Sequence, residues 1–208
     1  AVGETTFYVA EGQTNSCIGP KKPIKVIVYP KPIVNAPVTK TFEGCETNAI
    51  TGLTYSETEV NISLSQFTTA GGTFTNNNTV GTYSISYKDS KSGNCPITVE
   101  RVYKITTICG STIVNQIIKI QDTTAPVITG TLSDLNIEGC SLSDLPSAVK
   151  TVAALESLGL SIGDNCTTDS NMSISSSDVI NGNLPTVITR TYTISDKCNN
   201  QTIVIQKI

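Results

Sequence analysis

Two stretches of the chain share one pattern of apolar and polar positions. In residues 97–106 the odd-numbered residues are apolar apart from Arg101, while polar residues fill the even positions except at Val102. This period of two predicts an antiparallel strand that is buried on one face. A turn with a cysteine follows, and then a second strand, Gln-x-Ile-x-Ile-Gln. The same hairpin occurs in residues 93–122 and in residues 182–208.

The second copy lies about ninety residues after the first, and internal repetition at a fixed spacing indicates a tandem array. We therefore predict a first repeat at 33–122 and a second repeat at 123–208. Residues 1–32, with strand-like runs at 6–10 and 24–28, are predicted to be the C-terminal hairpin of a truncated domain. The matched positions are Arg101 with Arg190, Tyr103 with Tyr192, and Cys109 with Cys198.

Short helices interrupt the predicted strands. Residues 64–70 read as one or two helical turns, with Ser63 as N-cap and Gly71 as the stop. Residues 147–158 place apolar residues at helical spacing before Gly159. The fold class is therefore predicted to be all-β, with tandem β-sandwich domains and short helical insertions.

Composition narrows the function classes. The net charge is −3 and no lysine–arginine cluster occurs, which argues against nucleic acid as a partner. No apolar run approaches the ~20 residues of a membrane helix. The chain has seven cysteines and no histidine, so a cysteine nucleophile would lack an imidazole base. These features favour structural disulfides in an oxidising compartment and a protein that is not an enzyme.

Several short motifs lie at characteristic places in the repeats, and the first of them occurs in both. They are Glu-Gly-Cys near the start of each repeat, Asp-Asn-Cys in mid-domain, Gly-Asn-Cys-Pro before the Arg-x-Tyr strand, Asp-x-Cys in the hairpin turn, and Gln-Asp-Thr-Thr-Ala-Pro at the junction. Together they resemble the HYR-type immunoglobulin-like repeats of giant Bacteroidota cell-surface proteins, in particular gliding-motility adhesins. Residues 1–32 resemble the end of another Ig-like module of such proteins.

The resemblance implies Ig-like β-sandwiches and a non-enzymatic structural or adhesive stalk at the extracellular cell surface, and it carries over no catalytic residue. The expected partners are neighbouring repeats of the same long chain, with surface polysaccharide as a further candidate. Each repeat departs from the family pattern by lacking one of four cysteines. The alternative function is an accessory carbohydrate-binding or spacer module of a secreted polysaccharide-degrading enzyme.

Two arginines occupy the apolar register of their strands. Arg101 and Arg190 would point inward, and an unpaired buried charge is very costly. Each should therefore form a structural ion pair with a carboxylate that also recurs. The carboxylates that recur at matching positions are Asp89 and Asp178, or else Glu43 and Glu138. We expect Asp89 to pair with Arg101 and Asp178 to pair with Arg190.

The Ig-like topology implied by the resemblance also predicts the disulfides. In such a sandwich the entering and final strands run in the same direction, which puts Cys45 and Cys95 at one end of the first repeat. Cys166 and Cys198 then share the opposite end of the second repeat. Because bridged Cα atoms come within ~7 Å, we predict the pairs Cys45–Cys95 and Cys166–Cys198. The cysteines predicted to be unpaired are Cys17, Cys109 and Cys140.

The same topology collects acidic residues at the junction of the two repeats. Asp122 from the linker, Asp164 from the mid-domain loop and Asp196 from the hairpin turn would meet there, with carbonyl oxygens from Asn165 and Asn199. Hard oxygen ligands of this kind suit Ca²⁺. Aspartates also cap turns, so calcium binding and turn capping are both open. No other cofactor is expected.

Overall fold

The computed structural model describes residues 3–9, 21–28, 31–75, 82–182 and 185–208. The fold is all-β, with several sheets of the sandwich type and short helices between strands, as predicted. The chain forms two compact units, and each unit gathers more than one segment of the sequence. Compact unit 1 comprises Ala1–Lys40, Thr51–Lys91 and Val99–Ile118; compact unit 2 comprises Thr41–Ile50, Ser92–Thr98 and Lys119–Ile208.

Among its described residues, the N-terminal part of the chain has nine strands and one α-helix. They are β1 (Gly3–Val9), β2 (Lys22–Val28), β3 (Ile33–Asn35), β4 (Lys40–Glu43), β5 (Val60–Ile62), α1 (Leu64–Ala70), β6 (Thr73–Thr75), β7 (Ser84–Ser92), β8 (Ile97–Thr107) and β9 (Gly110–Gln121). β1 and β2 form an antiparallel hairpin, β3 pairs with β6, and a five-stranded sheet has the order β4-β9-β8-β7-β5. Cys17 lies outside the described residues.

The predicted register of β8 is confirmed. Its odd-numbered residues from Ile97 to Ile105 are buried, including Arg101, whereas Glu100 and Lys104 are exposed. β4 runs in the same direction as β9. The Gly44 amide, just after β4, donates to the carbonyl of Gln121 at the end of β9, at 3.1 Å. Gln116 Nε2, earlier in β9, donates to the Val38 carbonyl, just before β4, at 2.8 Å.

Aromatic side chains fill the core of compact unit 1. Phe67 and Tyr103 are fully buried, and their rings meet edge to face at 5.0 Å. The Tyr103 hydroxyl donates to Gln116 Oε1 at 3.1 Å, and the same amide binds the backbone beside β4. This buried tyrosine therefore reaches the backbone through Gln116.

Local capping residues determine the bounds of α1, as predicted. The Ser63 hydroxyl accepts from the Gln66 amide, and Gln66 Oε1 accepts from the Ser63 amide, so both ends of a capping box are present. Gly71 ends the helix with a φ of 107°, a left-handed conformation that glycine adopts without steric cost. The helix buries Phe67.

In the C-terminal part, the structure describes five strands and one α-helix: β10 (Val127–Gly130), α2 (Val152–Ser157), β11 (Leu160–Gly163), β12 (Ser173–Asn181), β13 (Val187–Ser195) and β14 (Gln201–Lys207). β10 pairs with β11, and β12, β13 and β14 form an antiparallel sheet. One buried hydrophobic cluster of compact unit 2 consists of Leu132, Val152, Leu155, Leu160, Ile162, Tyr192 and Ile194.

The helix predicted at 147–158 is shorter than its apolar spacing indicated. α2 begins at Val152, because the Thr151 hydroxyl accepts from the Ala154 amide and caps the helix there. A helix from 147 would use the Pro146 carbonyl for its first hydrogen bond. That carbonyl instead accepts from Arg190 Nη1 at 2.8 Å.

Candidate functional site

The buried arginine of compact unit 1 pairs with Asp89, as predicted. Arg101 Nε and Nη2 donate to the two Asp89 oxygens, both at 2.8 Å, a bidentate arrangement. Nη2 also donates to the Thr54 carbonyl at 3.0 Å, and the guanidinium lies 4.4 Å from the centre of the Tyr87 ring. The side chain of Asp89 is 0% exposed and that of Arg101 3%. The guanidinium is therefore fully engaged within the core.

The second repeat contains the matching ion pair, but its aspartate is more exposed to solvent. Arg190 Nε and Nη2 donate to the Asp178 oxygens at 2.8 Å, and the two residues are direct partners across β12 and β13. The Asp178 side chain is 30% exposed. Its hydrogen bonds with Arg190 lower the pKa of Asp178 below the usual aspartate value.

Glu43, the alternative partner for the arginine, binds the linker between the repeats. Its Oε1 accepts from the Thr123 amide and its Oε2 from the Thr123 hydroxyl, both at 2.8 Å. These bonds, the backbone bond foremost, lower the pKa of Glu43. The sequence did not predict this use of the Glu-Gly-Cys motif.

The four cysteines predicted to form disulfides do so, but the predicted pairing is wrong. Cys45 bonds Cys166 and Cys95 bonds Cys198, with Cα separations of 5.0 and 5.3 Å. All four belong to compact unit 2, which takes the segments of Cys45 and Cys95 from the first repeat. The prediction considered only cysteines at one end of one repeat. It did not consider that these cysteines and those of the second repeat come together within one compact unit.

Cys109 and Cys140 are free, as predicted, and Cys140 is exposed. Two disulfides fit a secreted or extracellular protein, because such bonds persist in oxidising compartments. None of the helices in the described ranges is long and apolar enough to cross a membrane.

Asp122 begins the linker and lies beside the disulfides. It is 1% exposed. Oδ1 accepts from the Thr124 amide at 3.1 Å and from Asn165 Nδ2 at 3.3 Å. Oδ2 is buried and has no hydrogen-bond partner. Burial raises the pKa of Asp122, and the nearby carboxylates of Asp164 and Asp196 raise it further.

Asp196 lies in the turn between β13 and β14, is 4% exposed, and organises that turn. Its Oδ1 accepts from the amides of Cys198 and Asn200 at 2.7 and 2.8 Å. One carboxylate oxygen of Asp196 lies within 4.8 Å of one of Asp122, and both lie within that distance of Cys198 Sγ. That sulfur is bonded to Cys95, so it is no thiolate ligand.

Asp164 lies in the loop after β11 and is half-buried. Its Oδ1 accepts from the amides of Cys166 and Thr167 at 2.9 and 2.7 Å, whereas its buried Oδ2 has no partner. The three predicted aspartates are thus near one another. One carboxylate oxygen of Asp122 lies within 4.8 Å of one of Asp196, and the charges of Asp164 and Asp196 both act on Asp122.

Sequence reasoning missed Asn200, which ties the cluster together. Its Nδ2 donates to the carbonyls of Asp122 and Thr124 and to Asp196 Oδ2, at 3.0, 3.3 and 2.7 Å. The predicted Asn199 instead takes a left-handed turn conformation, with a φ of 66°. The first repeat has Ser111 where the second has Asn200, and this difference was the available signal.

No protein-family model and no curated protein matches the chain. The candidate site is therefore interpreted from its own chemistry. It combines two disulfides, a buried linker aspartate and two loop aspartates, and its donors are oxygen atoms suited to a hard cation.

Proposed function

We propose that the chain is a non-enzymatic structural and adhesive segment, with Ig-like repeats, of a large protein secreted to the cell surface. The observation that carries this proposal is the cross-linking of the repeats. Each disulfide joins a cysteine of the first repeat to one of the second, over separations of 121 and 103 residues. The resemblance to gliding-motility adhesin repeats supports the same role.

Cross-links of this kind suit a segment under tension. When the two ends of the chain are pulled, the Cys45–Cys166 bond carries the force past residues 46–165, which lie inside the closed loop. Those residues cannot extend while the bond is intact. A protein that transmits force along its chain benefits from this arrangement, because the closed loop limits how far the chain can be stretched.

Single-molecule force spectroscopy on the whole chain tests the proposal. We expect the force–extension trace of the oxidised protein to show a distinct force peak. Its final extension should be shorter than that of the same chain without disulfides. Reduction of the disulfides should free the chain between Cys45 and Cys166, a separation of 121 residues. This adds about 40 nm of contour length at ~3.4 Å per residue. The variant Cys140→Ser, which removes a free thiol, should give traces like those of the unaltered protein in both states.

Smooth extension without a force peak in the oxidised protein would contradict the structural role. A glycan-array screen of the same protein provides the second arm. Specific binding of a plant or algal polysaccharide, together with low mechanical resistance, would favour the accessory module of a polysaccharide-degrading enzyme instead.

A further inference from the structure

We propose that Asp122, Asp164 and Asp196 bind one Ca²⁺ ion beside the two disulfides. This inference does not depend on the adhesive role, since it rests only on the chemistry of compact unit 2. Asp122 and Asp196 would be direct ligands, and Asp164 would complete the set directly or through a water molecule.

The first argument is that two buried carboxylate oxygens lack partners. Among the described residues, Asp122 Oδ2 and Asp164 Oδ2 are the buried side-chain polar atoms without a hydrogen bond. Buried polar atoms nearly always have a partner, and an orphaned charged oxygen is especially costly. Asp122 is 1% exposed, so bulk water does not solvate that oxygen. A bound cation would satisfy it.

The second argument comes from Asp89, a buried aspartate outside this site. Asp89 is as buried as Asp122, and it has Arg101 at 2.8 Å. Within the described ranges, none of the lysine or arginine side chains forms a salt bridge with Asp122, Asp164 or Asp196. Acidic residues are almost never fully buried unless paired. The protein therefore provides a counter-charge at Asp89 and leaves the junction aspartates without one.

The geometry suits one ion. Two oxygens that bind the same Ca²⁺ at 2.3–2.6 Å lie within about 5 Å of each other, and the closest oxygens of Asp122 and Asp196 are within 4.8 Å. Asp196 Oδ2 accepts one hydrogen bond, from Asn200, and a carboxylate oxygen has a second lone pair. The free lone pairs of three carboxylates are hard donors, which favours calcium over zinc.

The neighbouring backbone holds these ligands in place. Amide donors fix Oδ1 of Asp164 and Oδ1 of Asp196, and in each case one donor is a disulfide cysteine, Cys166 or Cys198. The carboxylates are therefore oriented before an ion arrives, which lowers the entropic cost of binding. An irregular set drawn from a linker and two loops suits Ca²⁺ better than Mg²⁺, which requires near-octahedral geometry.

The test uses the oxidised whole chain, freed of metal with EDTA and titrated with CaCl₂ by calorimetry and by thermal unfolding. We expect a Kd of ~10⁻⁴–10⁻³ M, as in extracellular modules, and a rise in Tm of roughly 3–11 °C at 10 mM Ca²⁺. MgCl₂ should give a clearly smaller rise.

Asp122→Asn should weaken Ca²⁺ binding at least tenfold and sharply reduce the rise in Tm. Its metal-free Tm should equal or exceed that of the unaltered protein, because the amide removes one of the clustered charges; a purely structural aspartate would instead lower it. Asp164→Asn gives the same calcium readout whether or not Asp122→Asn folds. The exposed Asp134→Asn is the matched control and should respond to Ca²⁺ normally.

Absence of both heat and Tm shift in the unaltered protein would overturn the proposal, and would leave turn capping as the role of the three aspartates. An unchanged calcium response in both Asp122→Asn and Asp164→Asn would place the ion elsewhere and overturn it too. An equal response to Mg²⁺ would refute the assignment to calcium.

Discussion

Removing the carboxylate of Asp89 should destabilise the protein far more than the same change at Asp178. Both aspartates bind their arginine through two bonds of 2.8 Å. The side chain of Asp89 is 0% exposed, however, while that of Asp178 is 30% exposed. The two repeats therefore provide one interaction in two solvent environments.

The difference in burial determines how much unfolding free energy each variant loses. Asp89→Asn leaves the Arg101 charge uncompensated in the core, which costs about 3–5 kcal/mol. Asp178→Asn leaves the buried Arg190 facing a position that is 30% exposed, where water can replace the lost carboxylate, and we expect about 1–2 kcal/mol. At an m-value of about 2 kcal/mol/M, the urea midpoint falls by about 1.5–2.5 M in the first variant and by less than about 1 M in the second.

Urea unfolding of the oxidised protein, followed by far-UV circular dichroism, measures both shifts. Glu100→Gln is the matched control, because Glu100 adjoins Arg101 on β8 but is exposed; its shift should stay within about 0.5 kcal/mol. Equal shifts for Asp89→Asn and Asp178→Asn would refute the burial argument. So would a loss of less than 1 kcal/mol for Asp89→Asn.

Three further outcomes can be measured on the same protein. The pKa of Asp178 is lower in the folded state than in the unfolded state, so ionised Asp178 stabilises the fold fully above its unfolded pKa. This stabilisation is lost as the pH falls below about 4. Asp178→Asn should therefore reduce the dependence of the free energy of unfolding on pH in the acidic range. Ser63→Ala removes the acceptor of the Gln66 amide and should cost about 1 kcal/mol in urea unfolding. Cys198→Ser should lower the free energy of unfolding by roughly 2–4 kcal/mol, whereas Cys140→Ser should leave it almost unchanged. Peptide mapping that found a Cys45–Cys95 bond would contradict the observed pairing.

The sequence predicted those features that depend on local chemistry or on a strong energetic requirement. The helix α1 is one, because Ser63 and Gly71 supply its caps within the segment itself. The Arg101–Asp89 pair is another: an arginine in an apolar register needs a buried carboxylate, and recurrence in both repeats limited the candidates. The proximity of the three junction aspartates was predicted on another ground, the Ig-like topology that the resemblance implies, which brings the linker and two loops to one end of the second repeat.

The features it did not predict depend on contacts between distant segments. Helical periodicity at 147–158 cannot reveal that Arg190, some forty residues later, binds the Pro146 carbonyl. Disulfide pairing is similar. Four cysteines in one compact unit allow several connectivities, and a rule about the ends of a single repeat cannot choose between a partner in that repeat and one in the next.

The order of the disulfides along the chain has a consequence for secretion. A polypeptide exported N-terminus first exposes Cys45 and Cys95 to the oxidising compartment before Cys166 or Cys198 has crossed. During that interval both early cysteines are thiols without their native partners. Any bond formed between them must be reversed by thiol–disulfide exchange before the native pairs can form. The first repeat is therefore covalently complete only after the last hairpin has been delivered, so the rate of export sets the earliest time at which this protein reaches its final state.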